Sequence, residues 1–399
     1  MNAGGAKERG GLFEFDEAYF GDPEAAHERL RAAGPIYRAV LPSGETAWLL
    51  VGHEQVRAAL TDPRLSVDKR HAGSGYTGLS LPGALDRNLL SLDGDDHARL
   101  RRLAAPAFTG EAVTPLEPRI RATARGLFEA LAAKGGGDLL GEFAAPLTRD
   151  TLRRLLGVPD GQGEEFVAHV ETLMSAAAGP NEQRAAGGAL LRIAGALVEA
   201  KRREPGTDLI SALVDARDGE DRLTEDEMLS LVFLLVMAGY ETTSALIGTA
   251  LLALLTSDTA DTAGANDVAD VDAVHDVDRL IDRALREQAP GPWSIRRFAT
   301  TDLTLADTLV RAGEPVLFGL ASANTDPAAP SERHLSFGHG AHYCLGAPLA
   351  RLQARIAVDV VAAERARIRL VGEPSELRWR RSIRVRSLNA LPVTVLPAA

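Results

Sequence analysis

Cysteine occurs once in the 399 residues, as Cys344. A lone cysteine excludes an internal disulfide, so that thiol serves packing or thiolate chemistry. It also fits a reducing cytoplasm. Basic residues are short relative to acidic ones, 44 against 55, for a formal charge of −11. That balance argues against a nucleic-acid binder and favours solubility. The opening run Met1–Arg9 has no apolar core, so neither a signal peptide nor a membrane anchor is expected there. Internal repeats and an obvious linker are also lacking, and the expectation is one domain over 1–399 with residues 1–12 as a tail. A single long apolar run exists, Leu229 to Leu255, interrupted by one charge, Glu241. Its flanks, Glu225, Asp226, Glu227, Asp258 and Asp261, are acidic. A membrane helix normally carries Lys or Arg on one side, so a helix buried in a soluble core is expected.

The local patterns place the elements coarsely. Ile36–Val40, a Pro42-Ser43-Gly44 turn and Thr46–Val51 predict a β-hairpin. Short helices follow, then a Gly/Pro/Ser-rich loop from about Ser66 to Asn88. Helical periodicity dominates from Asp96 to about Leu255, with Thr224 and Glu227 spaced as a capping box. Thr256 to Asp278 has no Lys, Arg or Glu and reads as a solvated loop. Leu345 to Arg367 reads as a helix with Pro348 in its first turn. Strand-like alternation returns at Ala366–Val371 and Ser382–Arg386. The fold class expected is mainly α with a smaller β-rich region.

The surroundings of Cys344 favour chemistry. It lies in Phe337-Gly338-His339-Gly340-Ala341-His342-Tyr343-Cys344-Leu345-Gly346, where glycines let the backbone pass close to something bulky. A sulfur at the following helix N-terminus meets unpaired N–H groups and the positive end of the dipole, which stabilise a thiolate. Such a thiolate is a good axial ligand for haem iron. The bland alternative is a small buried hydrophobe in a Gly-rich turn.

With Leu349-Ala350-Arg351, this run resembles the haem-binding loop of the cytochrome P-450 superfamily, and the resemblance extends from about Phe13 to Val395. It implies the P-450 fold, with haem b held between a long central helix and the helix after Cys344, and Cys344 as axial iron ligand. Phe337, Gly338 and Gly346 would then be the loop positions against the haem. Ala238-Gly239-Tyr240-Glu241-Thr242-Thr243 resembles the oxygen-binding segment, where Glu241 and Thr242 would relay protons. Asp93–Leu103 resembles the helix beneath the haem. His97 and Arg101, four apart and so on one face, with Arg297 and His342, would pair with propionates. Arg99, Arg102 and Arg355 would receive an acidic redox partner. The Ser66–Asn88 loop, the Met174–Asn181 region, Val236, Ala238, Trp293, Ser294, Ile295, Leu388 and Asn389 would line the distal pocket, mostly apolar.

Two departures stand out. The family's Glu three residues before Arg286 is Arg283 here, putting like charges at i,i+3, and Asp282 is then the expected partner of Arg286. The stretch from Asp326 to the haem loop is also shorter than usual. The functional expectation is a cytoplasmic monooxygenase that activates O2 and hydroxylates or epoxidises a medium-sized hydrophobic, polyketide-like secondary metabolite. Electrons would come from NAD(P)H through a ferredoxin and its reductase, with no nucleic acid or membrane partner. The alternatives are a haem-thiolate enzyme of another reaction type, such as coupling, rearrangement or peroxide-driven oxidation, and a catalytically weak haem-binding relative.

Overall fold

The computed structural model describes residues 12–74, 87–174, 178–218, 221–257, 271–330 and 333–397. Helices build most of the molecule, and among the described residues a six-stranded sheet, a three-stranded sheet and two two-stranded ribbons accompany them. The hairpin forms as expected: Ile36–Val40 pairs antiparallel with Thr46–Leu50. That pair sits inside a six-stranded sheet, in the order Phe13–Glu14, Ile36–Val40, Thr46–Leu50, Pro315–Phe318, Arg297–Ala299, Leu65–Ser66. Sequence-distant strands therefore meet, and Arg297 lies beside the strand Leu65–Ser66.

The second sheet joins Gly136–Asp138, Pro392–Val395 and Ile368–Leu370, all antiparallel. Gly136 has φ +134°, and a Cβ there would lie 2.2 Å from Val393 O, so only glycine admits this approach. Ser382–Arg386, expected as a strand, is irregular and borders only the Trp379–Leu388 bridge. Its alternation arises from arginines turned to solvent and partners rather than from a ladder.

The apolar run forms two helices, Glu225–Gly239 and Glu241–Thr256, separated at Tyr240. The capping box is present: Glu227 N donates to Thr224 Oγ1 at 3.3 Å, and Thr224 N donates to Glu227 Oε2 at 2.9 Å. Among the described residues this span alone is long and apolar enough to cross a membrane, and 56% of its most apolar window is buried inside the protein. Leu246, Ile247, Ala250 and Leu251 pack in one core with Ala354, Ala357, Val358 and Val361 of the helix Ala347–Ala362. Burying such residues stabilises by about 1.5–3 kcal/mol each for the larger aliphatic ones. Val271–Glu287 is a helix, so the expected loop over 256–278 is corrected from Val271 on, while 258–270 lies outside the described residues. The expectation missed it because Asp272, Asp276 and Asp278 read as solvated, although Val271, Val274, Val277 and Ile281 recur at helical spacing.

Candidate active site

The loop before the cysteine is built by its backbone. Gly338 N donates to Leu335 O at 2.7 Å, Tyr343 N to Gly340 O at 3.1 Å, and Cys344 N to Phe337 O at 2.8 Å. Gly338 and Gly340 adopt φ +74° and +73°, where a side chain would strain the turn. Pro348 occupies the first turn of the helix Ala347–Ala362, as its fixed φ favours. Cys344 ends up exposed to a cavity it lines, deep within the protein. Burial pushes its thiol up, while the N–H groups of Gly346 and Ala347 and the Arg101 guanidinium oppose the rise.

The cavity encloses about 1690 Å³ of unfilled space, part of it open to solvent. Its walls are mainly apolar, with Leu152, Leu155, Leu231, Leu235 and Leu246 among them. Phe337, Gly338, Cys344 and Gly346 line one side, and Ala238, Gly239, Thr242 and Thr243 line the central-helix side. The break at Tyr240, φ −81° and ψ −69°, shapes that side. Thr242 Oγ1 donates to Ala238 O at 2.7 Å, a back-bond characteristic of a bent helix. Glu241 does not face solvent freely: Arg380 Nη1 donates to its Oε1 at 2.7 Å. Arg380 was not singled out by sequence, since its segment carries four other arginines and only the tertiary fold chooses among them.

Arg101, Arg297 and His342 line the polar end, and His97, which does not line the cavity, is buried against His342. His97 and His342 stack with ring centroids 4.1 Å apart. His342 is fixed by Asp93, whose Oδ1 lies 2.6 Å from Nε2, and by Leu89 O, 3.2 Å from Nδ1. Burial, with His342 and Arg101 nearby, pushes His97 down to about 4. Arg101 Nη2 donates to Tyr343 O at 2.8 Å. Arg297 Nη1 donates to Leu65 O at 3.1 Å, and burial lowers its pKa. Two atoms here, His97 Nε2 and Arg297 Nε, are buried with no hydrogen-bond partner in the protein. Buried donors are rarely left unmatched, so this corner is built for an acceptor from outside the chain, and carboxylates answer that need. A thiol opposite a helix break, apolar walls, an unmatched Arg297 nitrogen at one end and an unmatched His97 nitrogen beside His342 fit haem.

Several expected pocket residues fall elsewhere. Val236 is buried in a separate apolar pocket with Phe166 and Leu190. Its helix face is set by packing that the sequence period alone leaves ambiguous. Asn389 is exposed and Leu388 is core, and neither lines the cavity. Trp293 borders the cavity, but its Nε1 donates to Tyr19 Oη at 2.8 Å, within an aromatic cluster. Ser294 and Ile295 do line it. Of the flanking stretches, 75–86 and 175–177 lie outside the described residues, while Leu89 and Leu90 just beyond the first contribute wall.

The charged expectations also change. Arg99 is bound on both sides, its Nε 2.7 Å from Asp221 Oδ2 and its Nη1 2.7 Å from Glu227 Oε1. Arg355 Nη2 is 2.9 Å from Asp278 Oδ1. These two arginines are already neutralised, which weakens them as docking cations for an acidic partner. Arg283 is exposed and pairs with Glu287 at 3.0 Å. Asp282 pairs with Arg351 rather than Arg286, its Oδ1 lying 2.7 Å from Nη2. A helical i,i+4 pair was the local option, and a residue from another helix displaced it.

The family model for Cytochrome P450 matches residues 193–329. Cytochrome P450 monooxygenase PikC of Streptomyces venezuelae is 35% identical over 389 residues, covering 93% of this chain and 91% of that protein. Mycinamicin IV hydroxylase/epoxidase of Micromonospora griseorubida is 34% identical over 388 residues, 91% of this chain and 93% of the relative. The ligand-free P450 monooxygenase TamI superposes with a TM-score of 0.86 at 38% identity, covering 96% of this chain and 94% of that one. The fold and the relatives define a haem-dependent oxidoreductase. This chain belongs to the cytochrome P450 family of monooxygenases.

Proposed function

We propose that the protein is a haem-thiolate monooxygenase that hydroxylates or epoxidises a medium-sized hydrophobic, polyketide-like metabolite. The observation that carries this reading is that Cys344 and Thr242 line the same cavity from opposite elements. Among similar proteins, one is named Polyketide biosynthesis cytochrome P450 PksS, of Bacillus subtilis, and is 30% identical over 399 residues. Apolar walls suit a substrate of that class, which would enter by burying hydrocarbon and be oriented by few polar groups.

Bound haem would supply dioxygen activation and transfer of one oxygen atom to substrate. Cys344 would hold the iron as thiolate, helped by the helix N-terminus. His97, Arg101, Arg297 and His342 would receive the propionates, which meets the unmatched His97 Nε2 and Arg297 Nε. Thr242 Oγ1, now donating to Ala238 O, would turn its hydroxyl into the cavity and order water there. Glu241, held by Arg380 and next to Thr242 in the first turn after the helix break, would pass protons toward that hydroxyl. NAD(P)H, through a ferredoxin and its reductase, would supply electrons in the cytoplasm.

The test is the carbon monoxide spectrum of ferrous protein, followed by turnover with surrogate ferredoxin and reductase. Wild type is expected to show the red-shifted band of haem-thiolate proteins and Cys344→Ser to lose it, because an alcohol is rarely ionised at neutral pH. A band of the histidine-ligated type in fresh, active wild type sinks the assignment.

A further inference from the structure

Arg283, exposed and bonded to Glu287, cannot buttress the core, yet its helix is still fastened to the cysteine loop. Asp282 Oδ1, on that helix, lies 2.7 Å from Arg351 Nη2, a charge contact without hydrogen-bond alignment. The same Arg351 Nη2 lies 3.1 Å from His334 Nε2, and its guanidinium sits 5.6 Å from the centre of the Phe337 ring. Phe337 in turn accepts the Cys344 N–H at 2.8 Å. A second latch lies beside the first. Asn324 Oδ1 accepts from Leu335 N at 2.6 Å, and Asn324 Nδ2 donates to Ser336 Oγ at 2.7 Å and to Leu285 O at 3.3 Å. Ser336 Oγ also donates to Leu285 O. Four pieces converge here: the helix Val271–Glu287, the helix Leu320–Asn324, the run into the loop, and the cysteine helix.

We propose that Arg351, clamped between Asp282 and His334, is a positioning residue for Cys344, with Asn324 and Ser336 as a second latch. The proposal rests on the reading of Cys344 as axial ligand. Arg351 lies on the helix that starts just after the cysteine, so its clamp fixes how that helix presents its first N–H groups. Its planar guanidinium touches a carboxylate, an imidazole and an aromatic face at once, which a lysine cannot reproduce. Asp326 is taken up elsewhere, accepting from His53 N at 2.8 Å.

Arg355, one turn further on, offers a matched control: it pairs with Asp278 at 2.9 Å at similar exposure and, among the described residues, makes no ion pair or hydrogen bond to the loop. Haem-loaded wild type, Arg351→Met, Arg351→Lys, Asp282→Asn and Arg355→Met would be compared by ferrous carbon monoxide spectra and by haem transfer to apomyoglobin. Arg351→Met is expected to raise the ratio of the blue-shifted, thiol-type band to the red-shifted, thiolate-type band roughly fivefold, the scale of a partly exposed ion pair. Haem transfer should quicken alongside. Arg351→Lys should fall between, and Arg355→Met should keep the wild-type ratio despite a similar loss of an ion pair. If Arg351→Met fails to fold, Asp282→Asn should move the ratio in the same direction. A wild-type ratio in every foldable clamp variant overturns the proposal, as does an equal shift in Arg355→Met. A wild-type protein without the thiolate-type band overturns the reading of Cys344 and takes this proposal with it.

Discussion

Replacing Asp93 with asparagine is expected to lower stability measurably and to do so only while the native carboxylate is ionised. Burial alone would raise the Asp93 carboxyl, but hydrogen bonds from His342, Ser66 and Val67 overcome it and bring the group down to about 2. The contacts are short: His342 Nε2 at 2.6 Å, Ser66 Oγ at 2.7 Å and Val67 N at 2.6 Å. The side chain of Asp93 is 29% exposed, so solvent screens these contacts only in part. A carboxyl depressed from 3.8 to about 2 favours the folded state by about 2 kcal/mol above the unfolded value. The sign follows from which state binds more protons. Below the unfolded pKa, the unfolded chain is protonated while the native carboxylate is not, so the stabilisation fades as pH falls from about 4 toward about 2. By about pH 3, about 1 kcal/mol should remain. Urea unfolding of wild type and Asp93→Asn, at pH 6 and again near pH 3, measures the difference directly. A gap below about 0.5 kcal/mol at pH 6, the range of ordinary surface changes, would refute this account of the site. So would a gap that stays constant as the acid is added. Because Asp93 holds His342 against His97, the variant should also bind haem more weakly at neutral pH.

Thr242→Ala should leave folding intact, since the lost bond to Ala238 O is local and alanine is the better helix former. Product per NAD(P)H should fall at least about tenfold as peroxide rises, and unchanged coupling would make Thr242 a packing residue. Arg283→Glu should keep its haem but lose about 0.5 kcal/mol, read by thermal unfolding. It breaks the Arg283–Glu287 pair and sets like charges at i,i+4 on an exposed face. Haem loss in that variant would mean that Arg283 supports the core after all.

How much was legible depended on whether a feature was local. The glycine spacing around Cys344, the Thr224–Glu227 cap and the hairpin through Pro42–Gly44 each rest on contacts within a few residues. Their geometry follows from φ preferences and short-range hydrogen bonding. His97 and Arg101 shared a face because helical period is local too. The choice of partners for long side chains was not local. Asp282 had Arg286 within reach along its helix, yet took Arg351 from another, where the loop also presents His334. Arg99, expected to meet a redox partner, found Asp221 and Glu227 first. Val236 turned from the cavity because an all-apolar helix gives no periodic signal for which face meets the void. The chain's own order of residues thus determined the thiol, its loop and the bent helix opposite. Only the tertiary structure decided which charges neutralise one another and which nitrogens are left unmatched, Arg297 Nε on a residue of the cavity wall and His97 Nε2 beside His342. The reason is physical: an ion pair needs contact within a few ångströms, and that is set by packing between segments distant in sequence, 122 residues for Arg99 and Asp221.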